Sequence, residues 1–264
     1  MSHVSFSELK IWNDCPFKHK LTYIDGLKGF EGNIYTAFGT AIHSTSEQKV
    51  INESLKEKEH FDISFLEELK KLPENVKKDL NKEEIGKFRE QGKRLISLVL
   101  PALKEYFEDK DLEIYSTEER LFEPIKDFVK NEYDFKGYID LVVKTEDGKY
   151  HIIDWKTCSW GWDARKKSEK MITYQLTFYK YYFALKHNVD PENIETHFGL
   201  IKRTAKRNHI ELFKVTSGKR KTNNAINFLK KALYNIDKKI FIKNKLACHK
   251  PYGTCEFYKT KHCT

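Results

Sequence analysis

The sequence lacks any stretch suited to crossing a membrane. A membrane-spanning helix needs about 18 or more consecutive apolar residues, and the 264-residue sequence contains no such run. The opening MSHVSFSELKIWND also lacks the charged and then apolar layout of a secretory signal peptide. We therefore expect a soluble protein located in the cytoplasm, or in the host cytoplasm if the source is viral, with no membrane partner.

Glycine and proline are scarce as well. With 12 Gly, 6 Pro, 39% hydrophobic and 14% aromatic residues, the composition excludes a disordered chain. Internal repeats and low-complexity linkers are absent. The length suits one large domain with a substantial core. We expect a single α/β domain over residues 1–264, decorated with helices.

Acidic residues are fewer than basic ones. Lys and Arg together number 48 against 39 Asp and Glu, which gives a formal net charge of +9. Basic runs occur at 202–209 (KRTAKRNH) and at 217–224 (SGKRKTNN). A basic surface favours polyanions, because their binding releases condensed counterions. The charge therefore favours a nucleic acid as partner, with a solvated lysine-rich face as the alternative.

Hydrophobic periodicity predicts the order of the elements. Apolar residues at helical spacing, interrupted at Pro73 and Pro101, predict a helical insertion or lid over about 60–110. The strands and the remaining helices predict a central mixed sheet flanked by helices. Helices are predicted over about 5–14, 36–58, 168–187 and 217–242, and strands over about 113–123, 127–136, 138–145, 149–156, 196–204 and 209–216.

The densest group of reactive side chains lies in a predicted β-hairpin. Apolar residues alternate before the Glu-Asp-Gly turn at 146–148 and resume after it. Asp140 is on the first strand; Asp154 and Lys156 are on the second, where a spacing of two places their side chains on one face. Carboxylates suit Mg²⁺ or Mn²⁺, and a lysine beside them can orient or deprotonate a water. The hairpin therefore predicts a divalent-cation site beside a phosphate.

The segment GYIDLVV...IIDWKT resembles the core of the PD-(D/E)XK nuclease superfamily, with Asp154 and Lys156 as its (D/E)xK element. Two more segments are similar to motifs of the RecB-type exonuclease branch and come in the same chain order. FGTAIHSTSE supplies Gly39 and His43, and YQLTFYKYY carries a Gln-x-x-x-Tyr motif. The resemblance implies a restriction-endonuclease-like core.

The resemblance also assigns roles to the site residues. Lys156 would position the attacking water and help to deprotonate it, and Gln175 and Tyr179 would steady the nucleotide. The implied ligands of Mg²⁺ or Mn²⁺ are His43, Asp140, Asp154 and the backbone carbonyl of Trp155.

Two residues allow a second interpretation. Glu47 lies four residues after His43 on one helical face, so it could orient the imidazole or be a solvated glutamate. Gln175 is polar in an aromatic segment and needs a partner, which a phosphate or a base could be.

The resemblance implies an exonuclease acting on single- or double-stranded DNA ends in recombination, repair or replication of phage type. A catalytically inactive DNA-binding module and a sequence-specific endonuclease of restriction type are the alternatives. Every charged position of the motif is filled, which disfavours an inactive module. A restriction-type enzyme needs a specificity region, for which only the segment 63–109 is available. The sequence leaves the oligomeric state open.

The sequence contains few cysteines, and their number is odd. Five cysteines in a chain expected in the cytoplasm argue against a disulfide framework and favour a metal site. One cysteine before the core and three after it resemble the iron-sulfur arrangement of some RecB-type nucleases, among them CRISPR adaptation exonucleases. The ligands of a [4Fe-4S] cluster would be Cys15, Cys248, Cys255 and Cys263.

The spacing of the tail departs from that arrangement. It reads Cys-x6-Cys-x7-Cys, without the usual tight Cys-x2-Cys start. Zinc or unliganded thiols are therefore alternatives. We expect the tail, residues 246–264, to pack near Cys15, and Cys158 to be a small buried residue.

Overall fold

Helices and strands make up most of the described chain, which is residues 2–108, 112–126, 132–250 and 253–264 of this computed structural model. Single turns of π-helix (Lys20–Ile24) and 3₁₀-helix (Pro191–Asn193 and Lys245–Cys248) join some of them. The helices are α1 (Phe6–Asp14), α2 (Pro16–His19), α3 (Ile34–Ile51), α4 (Glu57–Lys71), α5 (Glu74–Lys78), α6 (Lys82–Tyr106), α7 (Ala164–Ser168), α8 (Lys170–His187) and α9 (Lys219–Asp237). The strands are β1 (Ser2–Ser5), β2 (Glu113–Pro124), β3 (Tyr133–Lys144), β4 (Tyr150–Cys158), β5 (Ile194–Lys202), β6 (Ile210–Lys214), β7 (His249–Lys250) and β8 (Gly253–Thr254).

Among the described residues, six strands form one mixed sheet. Strands β3 and β4 pair antiparallel, β4 and β5 pair parallel, and β5 and β6 pair antiparallel. Strand β1 runs parallel to the start of β3, and β2 also pairs with β3. Because parallel neighbours need a crossover, α8 connects β4 to β5. The predicted α/β architecture of a mixed sheet flanked by helices is confirmed.

Contacts divide the chain into two compact units. The larger unit consists of Gly32–Leu121 and Tyr138–Ser217, and the smaller of Met1–Glu31, Phe122–Gly137 and Gly218–Thr264. The larger unit holds α3 to α8 and β4 to β6, whereas the smaller holds β1, α1, α2, α9 and the cysteine tail. Strands β2 and β3 contribute residues to both. Among the described residues, no helix is both long enough and apolar enough to cross a bilayer.

The core of the larger unit joins helices α3, α4 and α6 to the sheet. Phe38, Phe61, Phe65 and Phe88 pack with ring centroids between 5.5 and 6.3 Å apart. The same cluster of buried residues continues into β3, β4 and β5. The segment predicted as an insertion or lid over 60–110 therefore shares its core with the sheet; residues 109–110 lie outside the described chain.

Helix α6 continues through Pro101, where the sequence predicts an interruption. A proline inside a helix costs about 3 kcal/mol because it removes a hydrogen bond and its ring clashes with the preceding turn. Leu95, Ile96, Val99 and Leu103 are buried on both sides of it. Burying an aliphatic side chain of this kind contributes about 1.5–3 kcal/mol, so the packing outweighs the cost.

Two other predicted boundaries differ from the structure. The helix predicted over 36–58 ends at Ile51, because the Asn52 side chain accepts hydrogen bonds from the Ser54 amide (3.1 Å) and hydroxyl (2.6 Å) and starts a turn. The strands predicted over 127–136 and 138–145 are one strand, β3. Residues 127–131 lie outside the described part of the chain.

Gly92 fixes how α6 crosses α4. A Cβ atom built at this position would lie 1.9 Å from Cζ of Phe61, which is fully buried. The ring of Phe61 thus occupies the space that a side chain at position 92 would take. Gly86 lies in the same helix, and a Cβ there would meet nothing within 4 Å.

Replacing these two glycines should have opposite effects on stability. Gly92→Ala forces the α4–α6 contact apart and should destabilise the protein by roughly 1–3 kcal/mol, the usual cost of overpacking. Gly86→Ala should stabilise it by up to about 1 kcal/mol, because alanine is the better helix former. Urea unfolding of both variants measures the difference. Equal effects of the two substitutions would contradict this packing.

Candidate metal and catalytic site

Two carboxylates meet where the ladder between β3 and β4 ends. The described antiparallel pairs run from Lys144↔Tyr150 to Leu141↔Ile153. One step further, the Trp155 amide donates to Oδ2 of Asp140 over 2.7 Å. The Asp140 side chain thus replaces a backbone acceptor, which holds its carboxylate against β4.

Asp154 follows Ile153 on β4 and is almost fully buried. Its Oδ1 accepts a hydrogen bond from Gln175 Nε2 (2.9 Å), and its Oδ2 forms an ion pair with the Lys156 ammonium. This Oδ2 is inaccessible to solvent and receives no hydrogen bond of suitable geometry. Burial raises the pKa of Asp154 to about 6. The Lys156 ammonium is thus the contact of this buried oxygen, and a carboxylate oxygen with one such contact keeps a lone pair that a cation can use.

His43 approaches the carboxylates from α3. One turn earlier in the helix, a Cβ on Gly39 would lie only 3.3 Å from Oγ1 of Thr157, so the glycine lets α3 pack closely on the end of β4. His43 Nδ1 lies 3.3 Å from Oδ2 of Asp140. Burial alone would lower the pKa of His43, but the Asp140 carboxylate outweighs it and raises that pKa. Burial likewise opposes ionisation of Asp140, yet His43 outweighs it and lowers the Asp140 pKa.

Glu47 is the third member of this group. It is buried, and its carboxylate lies with ligand atoms of His43 and Asp140 inside a span of 4.8 Å. Burial, followed by the neighbouring Glu118 carboxyl, raises the pKa of Glu47 to about 8. The interpretation of Glu47 as a solvated glutamate is therefore wrong.

Glu118 has no counterpart in the sequence-based prediction. It lies inside β2 with a φ of 47°, in the left-handed region that few non-glycine residues adopt. Its carboxyl is close enough to Glu47 to help raise the pKa of that residue. The only signal in the sequence is an acidic residue within a strand, where acidic residues are depleted.

Gln175 and Tyr179 support Asp154 from α8. Gln175 Nε2 donates both to Asp154 and to the Tyr179 hydroxyl (3.1 Å). Tyr179 is buried, and burial strongly raises the pKa of its hydroxyl. The partner that Gln175 needs is thus Asp154. Direct contact of either residue with a nucleotide stays a prediction.

These residues fit a hard divalent cation. His43, Glu47 and Asp140 offer an imidazole nitrogen and carboxylate oxygens within 4.8 Å of one another, which are ligand types that Mg²⁺ and Mn²⁺ accept; Asp154 lies outside that group and offers a further carboxylate. The solvent-inaccessible Oδ2 of Asp154 gives such a cation a ready ligand. The carbonyl of Trp155 as a further ligand stays a prediction.

A second group with ligand chemistry lies at the other ends of β4 and β5. Nδ1 of His151 and Nε2 of His197 are 3.1 Å apart, and their remaining nitrogens contact Thr145 Oγ1 (3.0 Å) and the Tyr106 hydroxyl (3.1 Å). Glu195 completes the group. Burial lowers the pKa of both histidines, that of His197 to about 3. Each ring nitrogen has a partner, so this network is satisfied without a metal.

Four cysteines line one cavity of about 240 Å³ in the smaller unit. Two backbone amides point to Cys15 Sγ, those of Lys18 (3.5 Å) and Asn244 (3.3 Å). Cys158 does not line this cavity; it is half-buried in the larger unit. The cysteines of the cavity are Cys15, Cys248, Cys255 and Cys263.

Comparisons with known proteins identify a family and a similar fold. The family model of the PD-(D/E)XK nuclease superfamily matches residues 3–257. No curated protein matches the sequence significantly. The fold is similar to that of a protein from Eubacterium rectale provisionally named an exonuclease, with a TM-score of 0.60 and 12% identity over 94% of this chain and 86% of that one. A structure of SSO0001 gives a TM-score of only 0.35 at 14% identity, covering 86% of this chain and 85% of that one.

Divalent cations should stabilise the protein through this site. At about 100 times the dissociation constant, Mn²⁺ should add roughly 2.7 kcal/mol to the free energy of unfolding. Protonated carboxyls do not ligate, and the pKa values of Asp154 and Glu47 are about 6 and about 8. The increase in the free energy of unfolding caused by Mn²⁺ should therefore be larger at pH 8.5 than at pH 5.5. Thermal unfolding with and without Mn²⁺ measures it.

Asp147 provides the control, because it is an exposed carboxylate in the turn of the same hairpin. Asp147→Asn should keep the stabilisation by Mn²⁺, whereas Asp140→Ala and Asp154→Ala should lose it. Equal stabilisation of all three variants would place the cation elsewhere.

Proposed function

Because the chain belongs to the PD-(D/E)XK nuclease superfamily, we propose that it is a metal-dependent exonuclease of the RecB-type branch that degrades DNA from its ends. One observation carries the proposal. The buried Oδ2 of Asp154 pairs with the ammonium of Lys156, and the Asp154 carboxylate is close enough to His43 and Asp140 for each to shift its pKa. The site therefore combines cation ligands with a positive group that can face a phosphate.

His43, Asp140 and Asp154 would hold Mg²⁺ or Mn²⁺, with the Trp155 carbonyl as an additional ligand. When bound, the cation supplies Lewis-acid polarisation of the scissile phosphate and stabilises the charge on the leaving oxygen. The protein contributes the fixed positions of these ligands. Asp140 is fixed by the Trp155 amide, and Asp154 by Gln175.

Lys156 acts on the attacking water. Its side chain is 30% exposed and paired with Asp154, so it is anchored yet open to a substrate. Its ammonium positions the water and, through its positive charge, helps the water to release a proton to solvent as the water oxygen bonds to phosphorus. The bond from phosphorus to the 3′-oxygen breaks, and the leaving oxygen takes up a proton. The products are a 5′-phosphate and a 3′-hydroxyl.

Gln175 and Tyr179 position Asp154 in this proposal. Their hydrogen bonds keep Oδ1 of Asp154 occupied, which leaves Oδ2 for the cation. Their contribution to catalysis is to hold the Asp154 carboxylate in position.

DNA as the substrate is supported by charge. The net charge is +9, and the basic run 202–209 forms the connection between β5 and β6. Since β4 and β5 are parallel, this connection lies at the same edge of the sheet as Lys156. We place the activity in DNA recombination, repair or replication of phage type.

The three charged motif residues should be essential for cleavage. Asp140→Ala, Asp154→Ala and Lys156→Ala should each lower kcat by a factor of about 10³ or more, comparable with the loss of a transition-state-stabilising group. Binding of DNA should be largely kept, because phosphate contacts over a wider surface dominate affinity. The assay compares linear with closed-circular DNA in Mg²⁺ or Mn²⁺.

Progressive loss of linear DNA with intact circles is the expected pattern. Discrete fragments from both substrates would indicate a restriction-type endonuclease. Binding without cleavage in the wild-type protein would indicate an inactive DNA-binding module. Full activity in any two of the three variants would contradict the site assignment.

A [4Fe-4S] cluster held by the four cavity cysteines is part of the proposal. Burial raises the pKa of Cys248, followed by the effect of the neighbouring cysteines, and metal coordination would relieve this by binding the thiolate. The amides directed at Cys15 Sγ are the type of contact that stabilises cluster sulfurs. The cluster would tie the start of the chain to its tail.

Anaerobically purified protein should be brown and absorb near ~400 nm, as iron-sulfur proteins do. Cys248→Ser should lose the absorbance and lower the melting temperature, because one of four ligands is gone. Cys158→Ser is the matched control and should keep both. Stoichiometric zinc in place of iron would assign the site to zinc, and the absence of both metals would refute a metal site.

A further inference from the structure

Trp160 is the most exposed aromatic side chain among the described residues, with 73% of its surface open to solvent. It lies two residues beyond the end of β4. Singly exposed apolar residues are common and need no explanation by themselves. The fixed backbone and the charged residues around Trp160 indicate a function for this side chain.

The backbone before Trp160 is fixed. The carbonyl of Cys158 accepts a hydrogen bond from the Arg203 amide (2.8 Å), and that of Ser159 accepts from the Thr204 amide (3.0 Å) and hydroxyl (2.9 Å). Both acceptors are thereby bound to the connection between β5 and β6. The indole projects from an anchored segment.

The backbone after Trp160 is fixed as well. Gly161 has a φ of 113°, a conformation that favours glycine, and a Cβ there would lie 3.0 Å from Cδ of Lys202. Trp162 packs against Phe198 with ring centroids 5.2 Å apart. Of the two tryptophans in Ser-Trp-Gly-Trp, one is thus half-buried against the sheet and the other faces solvent.

Trp160 is close to the site along the chain. Four residues separate it from Lys156, and a fully extended chain covers at most about 14 Å over that distance. Stacked bases of one DNA strand rise by about 3.4 Å per step. A nucleotide within about four steps of one placed at Lys156 can therefore reach the indole.

The charges around Trp160 suit a phosphate backbone. Arg165 of α7 and Lys206 and Arg207 of the β5–β6 connection are exposed, and within the described residues none of them has a carboxylate partner. Lys167 and Lys202, by contrast, share Glu211 as a partner. Unpaired cations on the segments that adjoin an exposed aromatic ring are the combination by which proteins bind single-stranded nucleic acid.

We propose that Trp160 stacks on an unpaired base of the DNA strand that enters the catalytic site, with Arg165, Lys206 and Arg207 facing the adjacent phosphates. The inference rests on the proposed nuclease function and specifies its substrate as a single-stranded DNA segment. An internal base of a duplex is covered on both faces by its neighbours, so away from a duplex end an indole can stack only on a base that has left the helix.

The test measures binding and cleavage of a labelled single-stranded oligonucleotide. In the Lys156→Ala background, Trp160→Ala should weaken binding about five-fold or more, the loss expected for one base stacked on an aromatic ring. With Lys156 intact, the same substitution should raise KM more than it lowers kcat. Trp160→Phe should retain most of the affinity because it keeps an aromatic face. Ile63→Ala, an exposed position of α4, should change neither value.

An abasic scan identifies the contact. Removing one base at a time should weaken binding at one position by a similar factor, and that sensitivity should vanish in Trp160→Ala. Unchanged affinity of Trp160→Ala, or a scan that is the same in both proteins, would overturn the stacking contact while leaving cleavage intact. A wild-type protein that neither binds nor cleaves DNA would overturn the nuclease function itself and the stacking contact with it.

Discussion

The burial of Asp154 beside Asp140 is the constraint on which the larger unit depends. Two carboxylates inside a protein are costly unless positive groups or hydrogen-bond donors compensate them. His43 and the Trp155 amide stabilise the ionised form of Asp140, which accounts for its lowered pKa. Asp154 has Lys156 and Gln175, yet its pKa stays at about 6. The compensation of the Asp154 charge by these two residues is incomplete, which supports the proposed binding of a cation here.

The surrounding helices and strands hold the two carboxylates and their partners in position. The end of the β3–β4 ladder frees the Trp155 amide for Asp140, Gly39 brings α3 close enough for His43 to reach it, and α8 carries Gln175 to Asp154. A layer of aromatic side chains fixes α3 against α4 and α6. The packing of this core thus determines where His43 lies. In the smaller unit, a metal linking Cys15 to Cys248 would close a loop of over two hundred residues, which by loop entropy is worth about 5–6 kcal/mol.

Much of the site follows from the sequence, because local spacing determines it. The period of two in a strand places Asp154 and Lys156 on one face, and the hairpin turn brings Asp140 alongside. Other features depend on long-range packing that no local pattern reports. Glu118, whose own backbone is left-handed within β2, raises the pKa of Glu47. Pro101 stays inside α6 because neighbouring side chains of the helix are buried. The role of Gln175 is of the same kind, since its partner Asp154 lies on another element.

The position of the cation is the central claim, and anomalous diffraction from a crystal soaked with Mn²⁺ tests it most directly. The account predicts a strong manganese peak bounded by His43, Asp140 and Asp154. It also predicts that Oδ2 of Asp154 contacts the ion, at a distance of about 2.0–2.2 Å typical of carboxylate ligands of small divalent metals. Manganese bound only at His151 and His197, or no ordered manganese in an otherwise well-defined site, would contradict it.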